Sequence, residues 1–143
     1  MSSDAPAPGT PDPAVHELRL VLTVADFDAA LAHYRERLGL PQSADFSGPQ
    51  GRVVLLEAGR ATIELVDADQ AASIDDVEVG RRVAGPVRVA LGVADAARTT
   101  TDFEDAGAVV VAPPTRTPWG SLNARLDTPE GVHVTVFSDE PAP

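Results

Sequence analysis

Arg19 and Arg88 stand 69 residues apart in two similar stretches of chain, and Glu64 and Thr135 stand 71 apart in two others. A guanidinium is a permanent cation that only donates hydrogen bonds, whereas a carboxylate only accepts them. Together these residue types suit gripping a carbonyl, phenolate or carboxylate oxygen, or stacking on an aromatic plane. The plainer reading is a structural ion network that joins two sheets. His133 lies two residues before Thr135 and so shares its strand face. It could contact a guest or move a proton, or serve as a hydrogen-bonded structural imidazole. Trp119, in Pro118-Trp119-Gly120, puts a large flat ring on a short tether. That ring suits stacking over an aromatic guest, or plugging a core or a dimer seam. His16, ahead of the first strand, is expected to be inert, and His33, on a helix beside Tyr34, is expected to be exposed.

Other chemistries are excluded or unsupported. The chain has no cysteine, which removes disulfides, thiolate metal ligands and thiol nucleophiles. It shows no phosphate loop, no G-x-S-x-G and no H-E-x-x-H. All 11 basic residues are arginine, set against 22 acidic ones, for a net charge of -11. Such a field repels nucleic-acid backbones and anionic lipid, and at long range it favours cationic or neutral guests. No apolar run approaches the roughly 18 residues that span a bilayer, and the N-terminus lacks a secretory pattern, so a cytoplasmic domain is expected.

The elements that must position these residues read as a duplication. The segment 143 residues long begins with a proline-rich stretch, 1–14, expected to be a disordered tail; Asp139–Pro143 reads similarly. Leu18, Leu20, Leu22 and Val24 alternate with Glu17, Arg19, Val21 and Thr23 as a strand whose leucine face is covered, and Asp26 caps a helix over Phe27–Leu38. Strands follow near Gln42–Phe46, Arg52–Glu57 and Ala61–Val66. The order then repeats: Val87–Val93, a cap at Asp95, a helix over Ala96–Ala106, and strands at Ala108–Ala112, Leu122–Asp127 and Val132–Phe137. Leu18–Asp26 overlays Val87–Asp95, and Thr62–Val66 overlays His133–Phe137. Each half is a βαβββ module, 15–66 and 86–138, within one α+β domain over 15–139, with 67–85 as the linker. The run Asp75-Asp76-Val77-Glu78 reads as a solvated linker face. Period two places Arg19, Glu64, Arg88 and Thr135 on the faces opposite the helices, where two curved sheets would enclose a cleft. By the same parity Val53, Leu55, Asn123 and Arg125 line it.

Leu22-Thr23-Val24-Ala25-Asp26-Phe27, then Ala32-His33-Tyr34-Arg35, Leu38-Gly39-Leu40, Pro118-Trp119-Gly120 and Asp127-Thr128-Pro129-Glu130-Gly131 occur in an order that resembles the vicinal-oxygen-chelate superfamily. This superfamily includes glyoxalase I, extradiol dioxygenases and the bleomycin-resistance proteins. The resemblance covers nearly all of 16–138. It implies paired modules around an open, barrel-like cleft, usually in a homodimer. In metal-using members, it implies ligands at the positions of Arg19, Glu64, Arg88 and Thr135. Three of these four are unsuited to holding a cation, so no metal and no cofactor is expected. The character is closest to metal-free, drug-binding members: a protein that sequesters a bulky aromatic compound or antibiotic, with ligand contacts at Arg19, Leu55, Glu64, Arg88, Trp119, Arg125, His133 and Thr135. The alternative is a lyase, isomerase or dioxygenase-type enzyme on the same scaffold. The arginines would then stabilise an oxyanion, and Glu64 or His133 would move the proton. Either reading permits a cleft within one chain or across a swapped dimer.

Overall fold

The computed structural model describes residues 15–140, so the expected tail at 1–14 lies outside the described residues. In chain order the elements are β1 (Val15–Thr23), α1 (Phe27–Leu31) with a π-helical continuation over Ala32–Arg37, β2 (Gln42–Asp45), β3 (Val53–Ala58), β4 (Ala61–Val66), α2 (Ala68–Glu78), β5 (Val87–Val93), α3 (Ala96–Asp105), β6 (Val109–Arg116), β7 (Ser121–Asp127) and β8 (His133–Asp139). The strands form one open, curved sheet in the order β2-β3-β4-β1-β5-β8-β7-β6. β1 runs parallel to β4, β5 runs parallel to β8, and β1 meets β5 antiparallel. The two βαβββ halves therefore join within a single chain, and the cleft they form is intrachain.

Period-two alternation divides the sheet into two faces. On the outer face Val54, Leu56 and Leu65 pack beneath Phe27 and Leu31 of α1. Leu126, Val134 and Val136 pack beneath Ala96 of α3. Asp26 and Asp95 cap these helices as expected, accepting from Ala29 N at 3.0 Å and Arg98 N at 3.1 Å. Such caps are each worth about 1 kcal/mol. The outer cover is incomplete, since Leu18 and Val87 remain exposed.

Three segments depart from the sequence reading. β6 continues through Pro113 and Pro114 to Arg116; as an edge strand it tolerates residues without a donor, at the cost of two register shifts. Asp139 ends β8 instead of beginning a tail, and Glu140 N donates to Gly120 O at 3.1 Å. The largest correction concerns 67–85, which contains helix α2 packed on the inner face of the sheet. Ala71 and Ile74 bury against Val21, Val53, Val66 and Ala90. The acidic run is not a solvated face: Asp75 and Glu78 are only 1% and 4% exposed.

Candidate functional site

The inner face holds a cleft of about 590 Å³ whose floor carries Arg19, Glu64, Arg88 and Thr135. Their convergence follows from register. Arg19 sits opposite Ala90 across β1/β5, and Arg88 sits opposite Val21, so the guanidiniums are diagonal neighbours on one face. Thr135 lies beside Ala90 on β8, and Glu64 lies beside Val21 on β4. Arg19 Nη1 donates to Glu64 Oε1 at 3.3 Å, and its Nε donates to Glu17 at 2.6 Å. Its ring-side face stacks over Phe137, with the guanidinium carbon 4.9 Å from the ring centroid. Arg88 Nη1 donates to Thr135 Oγ1 at 2.8 Å, while its Nη2 stands 3.9 Å from Glu64 Oε2, beyond hydrogen-bond reach.

The two cations are therefore unequal. Burial works against the charge on Arg19, but hydrogen bonding to Glu17 and the charges of Glu64 and Glu17 raise its pKa above the ordinary value. For Arg88, burial dominates the partial compensation from Glu64, and Arg125 adds repulsion, so its pKa is lowered. A buried cation whose nearest carboxylate stands beyond hydrogen-bond distance gains most from an acceptor supplied by a guest.

These four residues do not fit a metal ion. Two are donors only, Glu64 is turned toward both guanidiniums, and the Thr135 oxygen already accepts from Arg88. Among the described residues, no group of three or more His, Asp or Glu side chains is placed to hold one.

Trp119 lines the cleft and is 53% exposed. Its turn is braced by Thr117 and Ser121, whose hydroxyls lie 2.8 Å apart, and Thr117 N donates to Ser121 O at 2.9 Å. Phe46, in the loop between β2 and β3, is 62% exposed and lines the same cleft. It belongs to the corresponding loop of the other module. The sequence reading ends a strand on it, over Gln42–Phe46, and does not single it out; β2 stops at Asp45, which releases Phe46 into the loop. Val53 and Asn123 line the cleft, as strand parity indicates.

Three expected contacts do not reach it. Leu55 shares the inner face opposite Glu64 but is buried outside the cleft lining. Arg125 is wholly buried under α2, with Nε donating to Glu78 Oε1 at 2.8 Å and Nη1 lying 2.8 Å from Asp75 Oδ1. His133 lines a separate depression with Arg81 and Arg82. Its Nδ1 is 2.8 Å from Asp127 Oδ1 and its Nε2 is 3.1 Å from Arg125 Nη1. Because Nδ1–H donates to the carboxylate, Nε2 is left to accept from Arg125, and this makes the histidine a structural acceptor.

Asp75 anchors the segment after α2. Its Oδ2 accepts from Arg82 Nη1 at 2.6 Å, Val83 N at 2.8 Å and Ala84 N at 2.9 Å. Burial alone would raise its pKa, but the two backbone donors, Arg82 and Arg125 outweigh it and hold the carboxyl at about 2. Because the folded value lies below the ordinary 3.8, the stabilisation is complete above that value and is lost as pH falls toward about 2. It amounts to about 2 kcal/mol. Urea unfolding between about pH 5 and pH 2 should therefore show a steeper loss of stability in the native chain than in Asp75→Asn. Parallel pH profiles for the two would contradict this assignment.

Among the described residues, no helix is long and apolar enough to cross a membrane. No curated protein matches the sequence. Solved structures do. A hypothetical protein from Bacillus halodurans C-125 aligns over 87% of this chain and 94% of its own, with a TM-score of 0.64 and 19% identity. Methylmalonyl-CoA epimerase from Mycobacterium tuberculosis aligns over 92% and 93%, with a TM-score of 0.62 and 20% identity. A superfamily member from Vibrio splendidus 12B01 aligns over 86% and 98%, with a TM-score of 0.60 and 12% identity. At these identities the likeness is one of fold. The Glyoxalase/Bleomycin resistance protein/Dioxygenase superfamily model matches residues 17–136, most of the chain. The duplicated βαβββ architecture and this match together place the chain in the glyoxalase/bleomycin resistance protein/dioxygenase superfamily.

Proposed function

We propose that this protein is a metal-independent binder of a planar aromatic small molecule bearing an anionic or carbonyl oxygen, held stoichiometrically in the cleft in the manner of bleomycin-resistance-type sequestration. The observation that carries the reading is Arg88: a buried cation on the cleft floor whose Nη2 lacks a carboxylate within hydrogen-bond distance, below two exposed aromatic rings. Burial of the guest's faces against Phe46 and Trp119 supplies most of the affinity, and the guanidinium fixes its orientation. The net negative chain disfavours anionic guests at long range, but a contact inside the cleft outweighs a field screened over about 10 Å.

Turnover is the second reading, and the epimerase among the structural neighbours favours it. It needs a group free to move a proton. Glu64 is held between two guanidiniums, and His133 lies in a different depression. The geometry supports binding.

Trp119 is the only tryptophan, so its emission reports on this cleft. Titration with a panel of planar aromatic carboxylates, phenolates and their neutral analogues should give saturable quenching at one molecule per chain. The quenching should be unchanged by chelator, and the compound should be recovered intact by mass spectrometry. Chelator-sensitive quenching, or conversion of the compound, would replace this reading with a catalytic one.

A further inference from the structure

We infer that α2 is the spacer that sets the gap between the two aromatic walls, with Gly51 and Asn123 as the positioning residues at its two ends. The inference rests on the binding reading above and says which residues govern the thickness and shape of the guest.

At the N-terminal end of α2, the loop that carries Phe46 is seated directly on the helix. Gly48 and Gly51 close that loop through paired backbone bonds of 2.9 and 3.1 Å. The N-cap Asp67 splits its carboxylate, with Oδ1 accepting from Gln70 N at 2.8 Å and Oδ2 accepting from Arg52 N at 3.0 Å. One oxygen caps the helix and the other holds the chain leaving the Phe46 loop. Gly51 makes the seat possible. A Cβ there would meet Asp67 Oδ1 and lie 2.5 Å from Gln70 N, and its φ of +146° disfavours any side chain.

The C-terminal end of α2 holds the opposite wall. Glu78 Oε2 accepts from Asn123 Nδ2 at 2.9 Å, and Asn123 Oδ1 accepts from Ser121 Oγ at 2.6 Å. Ser121 N in turn donates to Thr117 Oγ1 at 3.1 Å, which closes the turn that presents Trp119. Every member of this chain is buried, so each bond is costly to leave unmade. The edge strands β2 and β6, next to the two loops, lie at opposite ends of the strand order and are not hydrogen-bonded to each other. The helix between them is thus the shared support of both walls.

The absence of cysteine permits a direct measurement. Spin labels at Phe46→Cys and Trp119→Cys in the full chain, without any guest, report the gap by pulsed electron paramagnetic resonance. The otherwise native chain should give one narrow distance peak. Adding Gly51→Ala should displace that peak to longer distance, and adding Asn123→Ala should broaden it. Leu65→Ala, a core truncation touching neither end of α2, should lower the melting temperature and leave the peak in place. Circular dichroism confirms folding of each variant, and either end of the helix decides the matter if the other variant fails to fold. A peak unmoved in the folded Gly51→Ala or Asn123→Ala chain, or one equally broadened by Leu65→Ala, overturns the inference. Failure of the binding reading shows separately, as absent Trp119 quenching in the unlabelled chain.

Discussion

Arg125→Met, made alone, should lower folding stability by about 3–5 kcal/mol, because it strands Glu78 on the underside of α2 without its cation partner and leaves Asp75 only Arg82 and two backbone donors. The guanidinium is fully buried, and its two acidic partners are nearly so. Dispersion lost by removing the side chain is small, since methionine fills much of the same volume. The cost is therefore electrostatic, and it can be recovered without restoring the arginine. Adding Asp75→Asn and Glu78→Gln removes both acidic charges that faced Arg125. It also keeps an acceptor for Val83 N and Ala84 N at one end and for Asn123 Nδ2 at the other. The native network is itself incompletely satisfied. Arg125 Nη2 has no hydrogen-bond partner, and Asp75 Oδ1 has only the ion-pair contact with Arg125. The triple variant should thus regain most of the loss in urea unfolding, with the slope of the transition unchanged. A triple variant as unstable as the single one would show that the packing of the arginine stem, and not its charge, holds α2 on the sheet.

The same residues show which parts of the molecule were legible in the sequence. Alternation at Leu18, Leu20 and Leu22, its repetition at Val87, Val89 and Leu91, and caps at Asp26 and Asp95 correspond to real strands and helix starts. Because the duplication maps one module onto the other and period two assigns a face, Arg19, Glu64, Arg88 and Thr135 could be brought together from spacing alone. Parity names a face but not a position along it. His133 is one face-repeat from Thr135, roughly 7 Å along the strand, and that step carries it past the Arg125 guanidinium into another depression. α2 escaped notice because its buried stripe, Ala71, Ile74, Asp75 and Glu78, is half acidic, and apolar periodicity is the signal a reader seeks. The spacing was helical all the same, and Asp67 with Gln70 three residues on is a capping-box pattern. What no local pattern could supply is the partner: Arg125 lies 47 residues beyond Glu78. Until those residues are paired, two acids on a helix read as a wet surface.

Arg88→Met should weaken binding of a planar aromatic carboxylate or phenolate by about 10- to 100-fold, the worth of one charge-assisted hydrogen bond of roughly 1.5–3 kcal/mol. Arg19→Met should cost much less, although the two residues occupy equivalent places in the duplicated modules. Arg19 is already engaged by both Glu17 and Glu64, so a guest oxygen would have to compete for its donors. Arg88 donates to the neutral Thr135 and only approaches Glu64, which leaves its charge to be met by the guest. Removing Arg88 also takes away one of the two guanidiniums that face the buried Glu64, so Arg88→Met should unfold at a lower urea concentration than the native chain, with Arg19 retaining part of the pairing. Calorimetric or Trp119 titrations with matched guests separate the contributions. The loss should appear for the anionic compound and vanish for its neutral isostere, whose affinity comes from the aromatic walls. Equal losses for both compounds would assign Arg88 to shaping the cleft instead of recognising charge. A larger loss in Arg19→Met would move the recognition site to the other module, against the asymmetry of pairing from which the prediction follows.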